Sequence, residues 1–150
     1  MTDSLPELIE IRSSLSVKVG RSLSPHLAQL AEQAGRKMMT EMSHGLEEAL
    51  EGLIAAWQMM EGVPVTRETS RNLFKQALEV KSLGGICGNP LVTRVAHSLC
   101  RLLTNDKAAS DALVDAHVNT LRALLRDGEG EPSALMLARE LENLVFQSLT

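Results

Sequence analysis

Apolar residues recur along most of the chain at the three- and four-residue spacing of an amphipathic helix. A long stretch of this kind begins at Ser24-Pro25, a pair suited to the N-cap and the first helical position, and runs to about Glu61. The same spacing predicts further helices over residues 5–19, 66–87, 90–103, 108–126 and, capped by Ser133, on to about 149. Short connectors between long helices favour antiparallel neighbours. We therefore expect an all-α, up-and-down four-helix bundle with additional N- and C-terminal helices.

The breaks in this pattern define the expected domain organisation. Gly88-Asn89-Pro90 predicts a sharp turn, because proline cannot continue the preceding helix and favours the start of the next. Gly35, Gly45 and Gly52 lie inside the long stretch, where each costs about 1 kcal/mol relative to alanine, so a bend or break is expected there. We interpret residues 1–150 as one helical domain, with an extension over 1–35 and the bundle over 36–150.

The composition adds little to the predicted fold, but it reduces the classes of function that we expect. Hydrophobic residues make up 44% of the chain and aromatic residues only 2%, so the core is built from Leu, Val, Ala and Met. The residues expected in it include Trp57, Leu73, Ala77, Val80, Leu99 and Leu121. The net charge of −4 argues against nucleic acid as a partner, since nucleic-acid-binding domains usually carry a basic surplus.

The sequence lacks several recognisable signals, and their absence limits the cellular location and the chemistry that we expect. No apolar run approaches the ~20 residues that span a bilayer, and the first ten residues do not form a secretory signal, so we expect a cytoplasmic protein without a membrane. Cys87 and Cys100, the two cysteines, are expected to be free, buried thiols. They lack the histidine spacing of a zinc site, and we expect no metal and no cofactor.

Helix 66–87 has two contrasting faces. Leu73, Ala77, Val80, Gly84 and Cys87 fall on one side of a helical wheel and form the expected core face. The opposite side carries Leu78, with Phe74, Ser82, Gly85 and the basic residues Arg71, Lys75 and Lys81 around it. An exposed Phe–Leu pair with a basic rim is typical of a docking surface. The alternative is that the neighbouring N-terminal segment covers this pair.

The stretch from Leu78 to Pro90, LEVKSLGGICGNP, resembles the phosphoacceptor motif of bacterial histidine phosphotransfer domains. That motif consists of His-x-x-Lys-Gly, then spaced glycines and a turn into the next helix. Lys81, Gly85, Gly88 and Pro90 fit its spacing, and the likeness covers roughly residues 36–150. The resemblance implies a helical bundle whose docking face contacts the receiver domains of response regulators.

Two departures from the motif change the implied function. Leu78 occupies the position of the phosphorylated histidine, and Ser82 occupies that of the glycine after Lys81. Because leucine has no nucleophilic nitrogen, no phosphoramidate forms there. We therefore expect no catalytic residue and no enzyme, but an adaptor for a receiver domain or a sensor kinase of a two-component phosphorelay. Its expected docking residues are Phe74, Lys75, Leu78, Lys81, Ser82 and Gly85.

Other histidines leave a second possibility open. His97 is predicted on a polar face between Arg94 and Arg101, which makes it the alternative phosphoacceptor of an active phosphotransfer protein. His117 lies among apolar residues and is interpreted as a hydrogen-bonded core histidine, whereas His26 and His44 are expected at the surface. A purely structural or oligomerising bundle is the third hypothesis, and the sequence fixes neither the partner nor the oligomeric state.

Overall fold

The computed structural model describes residues 24–150, and the helix predicted over residues 5–19 lies outside them. The described residues form the helices α1 Pro25–Gln58, α2 Arg71–Ile86, α3 Pro90–Leu103, α4 Asp111–Asp127 and α5 Pro132–Leu149. They contain no strand, and a single isolated bridge pairs Val65 with Ala109. The all-α prediction is confirmed. In the range 24–150, none of the helices combines the length and apolar character that a bilayer crossing requires.

Helix α1 is continuous through its glycines, so no break occurs at them. Ser24 caps it as predicted, with the backbone N–H of Leu27 donating to Ser24 Oγ at 3.2 Å. The chain divides into one unit over Met1–Thr40 and a second over Glu41–Thr150. Every described residue of the first unit is exposed. In the second unit, Leu46, Leu50 and Leu53 of α1 contribute buried side chains to the core.

Helices α2 and α4 begin later than predicted, because hydroxyl side chains bind the backbone just before them. The Thr69 hydroxyl donates to the carbonyl of Pro64 at 2.6 Å, and the Ser70 hydroxyl donates to that of Thr66 at 2.6 Å. These bonds hold residues 66–70 in a turn, and α2 begins at Arg71. Ser110 is the N-cap of α4, and it accepts from the backbone N–H of Leu113 at 3.4 Å.

Helix α3 begins and ends where predicted, and it is the central helix of the second unit. It packs against α2, α4 and α5, and most of its side chains are buried. Its N-terminus is capped from a distant loop, since the carboxylate of Glu129 accepts the backbone N–H groups of Leu91 at 2.6 Å and of Val92 at 3.2 Å. Glu131 is the N-cap position of α5, so the prediction that Ser133 caps this helix is wrong.

The predicted core residues are buried with one exception. Leu73, Ala77, Val80, Leu99 and Leu121 have almost no exposed surface. Trp57 is only half-buried, because its indole lies at the edge of the core and donates to Asp115 Oδ1 at 3.0 Å. Of the two free thiols, Cys100 is buried, but Cys87 is half-buried rather than part of the core as predicted.

Gly84 explains how α2 and α3 approach one another. A Cβ atom added at Gly84 would lie 2.9 Å from Cγ1 of Val92 and 3.1 Å from Oγ1 of Thr93. Both distances are shorter than ordinary van der Waals contacts, so a larger residue would push the helices apart. The glycine on the core face of α2 therefore allows the two helices to approach closely.

Candidate functional site

Helix α2 buries one side and leaves the other exposed. Leu73, Ala77, Val80 and Gly84 face the core. Leu78 lies on the opposite side with 42% of its surface exposed. We call the predicted docking residues of this side the Leu78 face, which consists of Phe74, Lys75, Leu78, Lys81, Ser82 and Gly85. The two-sided character of the helix follows directly from its apolar spacing.

The exposure of the Leu78 face is uneven. Lys75, Ser82 and Gly85 are exposed together with Leu78. Phe74 is half-buried and packs against the core, so the prediction that a Phe–Leu pair lies on the solvent side is wrong for the phenylalanine. Phe74 instead lines a recess that also involves Arg71 and, from the C-terminal end of α3, Leu103. The Leu78 face therefore has a single exposed large apolar residue, which is Leu78.

Two small residues shape the C-terminal half of the face. The Ser82 hydroxyl donates to the carbonyl of Leu78 at 3.0 Å, which folds this side chain back onto its own helix. At Gly85, a Cβ atom would meet only Oγ1 of Thr93, at 3.8 Å, an ordinary contact. A side chain at Gly85 would therefore project from the face without disturbing the core, as the prediction of Gly85 as a docking position requires.

The basic rim is not neutralised within the described part of the chain. Ion pairs there involve His44 with Glu48, Arg67 with Asp106, Arg94 with Glu142 and Arg126 with Asp127, and none of them includes Arg71, Lys75 or Lys81. Glu79 is the one acidic residue of α2, against three basic ones. This helix is thus locally positive in a chain with a net charge of −4.

Lys81 also influences a buried thiol on the neighbouring helix. Burial raises the pKa of Cys100 to about 11, and the positive charge of Lys81 acts in the opposite direction. Lys81 itself is half-buried at the edge of the Leu78 face. The protonated Cys100 thiol is therefore part of the core beneath this face, and it is not a nucleophile at neutral pH.

The histidines lie where the sequence predicts. His97 is exposed on α3, and His26 and His44 are exposed on α1. His97 has Arg94 one turn before it, and Arg94 is engaged in a bidentate ion pair with Glu142 of α5. Of the flanking cations, Arg101 is exposed.

His117 is the buried histidine, and its hydrogen bonds are complete. Its Nδ1 lies 2.7 Å from the carbonyl of Leu113, and its Nε2 lies 2.9 Å from the hydroxyl of Ser98. Burial lowers its pKa, against an opposing effect of the Leu113 hydrogen bond. The neutral ring therefore donates from Nδ1 to the carbonyl and accepts the Ser98 hydroxyl at Nε2. This arrangement makes His117 a core residue of the α3–α4 contact.

Two features are not predicted by the helical periodicity of the sequence. The bond between Trp57 and Asp115 joins residues 58 positions apart, and Glu129 binds Leu91 across 38 positions. Sequence reasoning missed both, because helical periodicity predicts which side of a helix is buried but not which helix lies against it. For the Glu129 contact, the available signal was the position of this carboxylate directly after Gly128, in the loop before α5.

Comparison with protein-family models, curated proteins and solved structures finds no match for this chain. Its candidate site is therefore assessed on its own chemistry. Across residues 24–150, no group of three or more His, Cys, Asp or Glu side chains is arranged to hold a metal ion. The Leu78 face combines an exposed leucine with Lys75 and Lys81, neither of which forms an ion pair within the described residues.

Proposed function

We propose that the protein is a non-catalytic adaptor that binds the receiver domain of a response regulator, or a sensor kinase, through the Leu78 face. The observation that carries this proposal is the 42% exposure of Leu78, at the position where the phosphotransfer motif has its histidine. The core face of the same helix is buried, as its apolar spacing predicts. The histidine phosphotransfer-like bundle is part of the same proposal.

The chemistry of the Leu78 face is complementary to that of a receiver domain, the partner that the resemblance implies. A receiver has an acidic phosphorylation pocket surrounded by apolar residues. In the proposed complex, Leu78 contacts the apolar surround, while Lys75 and Lys81 lie towards the acidic pocket. Unpaired cations accelerate the encounter with an acidic partner and orient it. An adaptor bound in this way occupies the surface that a phosphodonor needs, and it regulates phosphate flow without carrying phosphate.

Gly85→Arg tests whether the partner approaches the C-terminal half of the face. The nearest side-chain atom to a Cβ at this position is 3.8 Å away, so the variant is expected to fold. We expect calorimetric titration with candidate receiver domains to show binding by the wild type and about tenfold weaker binding by the variant. Raising the salt concentration is expected to weaken wild-type binding, because it screens the lysines. A folded Gly85→Arg protein with wild-type affinity would place the interface elsewhere.

An active phosphotransfer protein that uses His97 is the second candidate, and the exposure of His97 favours it. Incubation with a phosphorylated receiver, or with a small-molecule phosphodonor, separates the two candidates. The adaptor hypothesis predicts no acid-labile phosphorylation. His44 is another exposed histidine, and His44→Ala is the matched control. Phosphorylation that is lost in His97→Ala and kept in His44→Ala would establish the second candidate instead.

A further inference from the structure

A cavity of about 340 Å³ opens between the C-terminal end of α1 and one side of α4. The half-buried indole of Trp57 forms part of its wall, together with the apolar side chains of Ile54 and Val118. Its volume falls in the range of about 300–1,000 Å³ that is typical of small-ligand sites. These helices are not the one that carries the Leu78 face, so the cavity is independent of the proposed function.

The carboxylate of Asp115 is held in a fixed orientation beside the Trp57 indole. Trp57 Nε1 donates to one carboxylate oxygen at 3.0 Å, and Asn119 Nδ2 donates to the other at 3.1 Å. Each oxygen has acceptor capacity beyond these bonds. Within residues 24–150, no basic side chain forms an ion pair with Asp115. A carboxylate that forms no ion pair within the described residues therefore lies at the N–H edge of the Trp57 indole, which lines the cavity.

Most of the other charges of the cavity are also negative. Asp111 and Glu61 also line it, whereas Arg122 is its one basic lining residue. The face of an indole ring attracts organic cations through its quadrupole, and a neighbouring carboxylate adds a charge-assisted hydrogen bond. An ammonium or guanidinium group in this cavity has both a carboxylate and an aromatic ring available to it, and Ile54 and Val118 provide an apolar surface for a stem.

We propose that this cavity binds a small organic cation, an ammonium or guanidinium group on an apolar stem. The charged group contacts the Asp115 carboxylate and the Trp57 ring, and the stem lies against Ile54 and Val118. Trp57 is the single tryptophan of the chain, so its fluorescence reports binding directly. A bound ligand also stabilises the folded state by mass action, which gives a second readout in the midpoint of thermal unfolding.

Three probes of similar shape and different charge test the proposal. Phenethylamine is the cation, phenethyl alcohol is the neutral counterpart and phenylpropionate is the anion. We expect a saturable change of Trp57 emission and a rise of the unfolding midpoint with phenethylamine alone. Equal binding of the alcohol, preferential binding of the anion through Arg122, or no saturable binding of phenethylamine would overturn the proposal.

Charge-neutralising variants locate the cation within the cavity. Asp115→Asn keeps the size of the side chain and is expected to weaken phenethylamine binding about tenfold. Glu140→Gln removes an exposed carboxylate of α5 outside the cavity and is expected to leave the affinity unchanged. If Asp115→Asn does not fold, Asp111→Asn replaces it, and weaker binding is again expected. Wild-type affinity in the folded variant would overturn the assignment.

Discussion

His117 is the titratable side chain that contributes most directly to the core. Its ring is fully buried between Ser98 and Leu113, and burial lowers its pKa below the ordinary value of 6.5. In the unfolded chain the ring takes up a proton near its ordinary pKa, so the unfolded state binds more protons as the pH falls. The stabilising contribution of the neutral ring is therefore complete above about pH 6.5 and declines below it.

We expect the free energy of unfolding in urea to decrease from pH 7.5 to pH 5.5 in the wild type, with most of the decrease below the ordinary pKa of histidine. His117→Gln is expected to be less stable at neutral pH and to lose most of this dependence. His97→Gln, which changes an exposed histidine, is the matched control and is expected to keep it. An unchanged pH dependence in His117→Gln would contradict the assigned role of the ring.

Individual residues of the Leu78 face show what a helical wheel predicts correctly and what it does not. Periodicity correctly predicted that Leu78 is exposed and that Val80 is buried. It misplaced Phe74, whose ring packs near Leu103 at the C-terminal end of α3. The wheel gives the direction of a side chain from its own helix axis, and the length of the phenylalanine side chain and the position of the next helix decide the rest.

At the scale of the helices, the N-terminus of α3 depends on one distant side chain. Pro90 has no N–H, and the next two backbone donors, those of Leu91 and Val92, are satisfied by Glu129. The carboxylate also interacts favourably with the positive end of the helix dipole. Because α3 packs against α2, α4 and α5, the loss of this cap is transmitted to the whole second unit.

We expect Glu129→Ala to lower the free energy of unfolding by about 1–2 kcal/mol, the range for the loss of a helix N-cap. Glu140→Ala, at an exposed position of α5, is the matched control and is expected to change stability by less than about 0.5 kcal/mol. Denaturant unfolding of the three proteins measures both values. Equal stability of Glu129→Ala and Glu140→Ala would show that the cap contributes nothing in solution.

The bounds of the helices show which local sequence signals are sufficient to predict where a helix begins and ends. Asn89-Pro90 fixes the start of α3 by chain chemistry alone, and α3 matches its prediction at both ends. The start of α2 was wrong by five residues, since Thr66 and Thr69 form a hydroxyl network that periodicity does not contain. The glycines of α1 carry a propensity cost too small to interrupt a helix whose C-terminal part is anchored by Leu46, Leu50 and Leu53.

At the scale of the whole molecule, the apolar periodicity predicted an all-helical protein, but the sequence alone did not place the helices against each other. The contacts between Trp57 and Asp115 and between Glu129 and α3 arise only from the tertiary arrangement. The exposed side of α2 was predictable because it depends on one helix alone. Its partner was not, because recognition depends on the surface of a second protein.

The charge of α2 is opposite in sign to the net charge of the chain. The chain is acidic overall, with a net charge of −4, whereas α2 carries Arg71, Lys75 and Lys81 against a single Glu79. An acidic partner is repelled by the molecule as a whole and attracted by this helix. Such a distribution favours one orientation of approach.

The most direct test of the adaptor hypothesis is a matched pair of leucine substitutions. Leu78 on α2 and Leu144 on α5 are 42% and 39% exposed, so Leu78→Asp and Leu144→Asp place the same charge at equally accessible positions. The hypothesis predicts that both variants fold, that Leu144→Asp binds a receiver domain with wild-type affinity, and that Leu78→Asp binds about tenfold more weakly or worse, measured by titration calorimetry. Equal affinity of the two folded variants would contradict it.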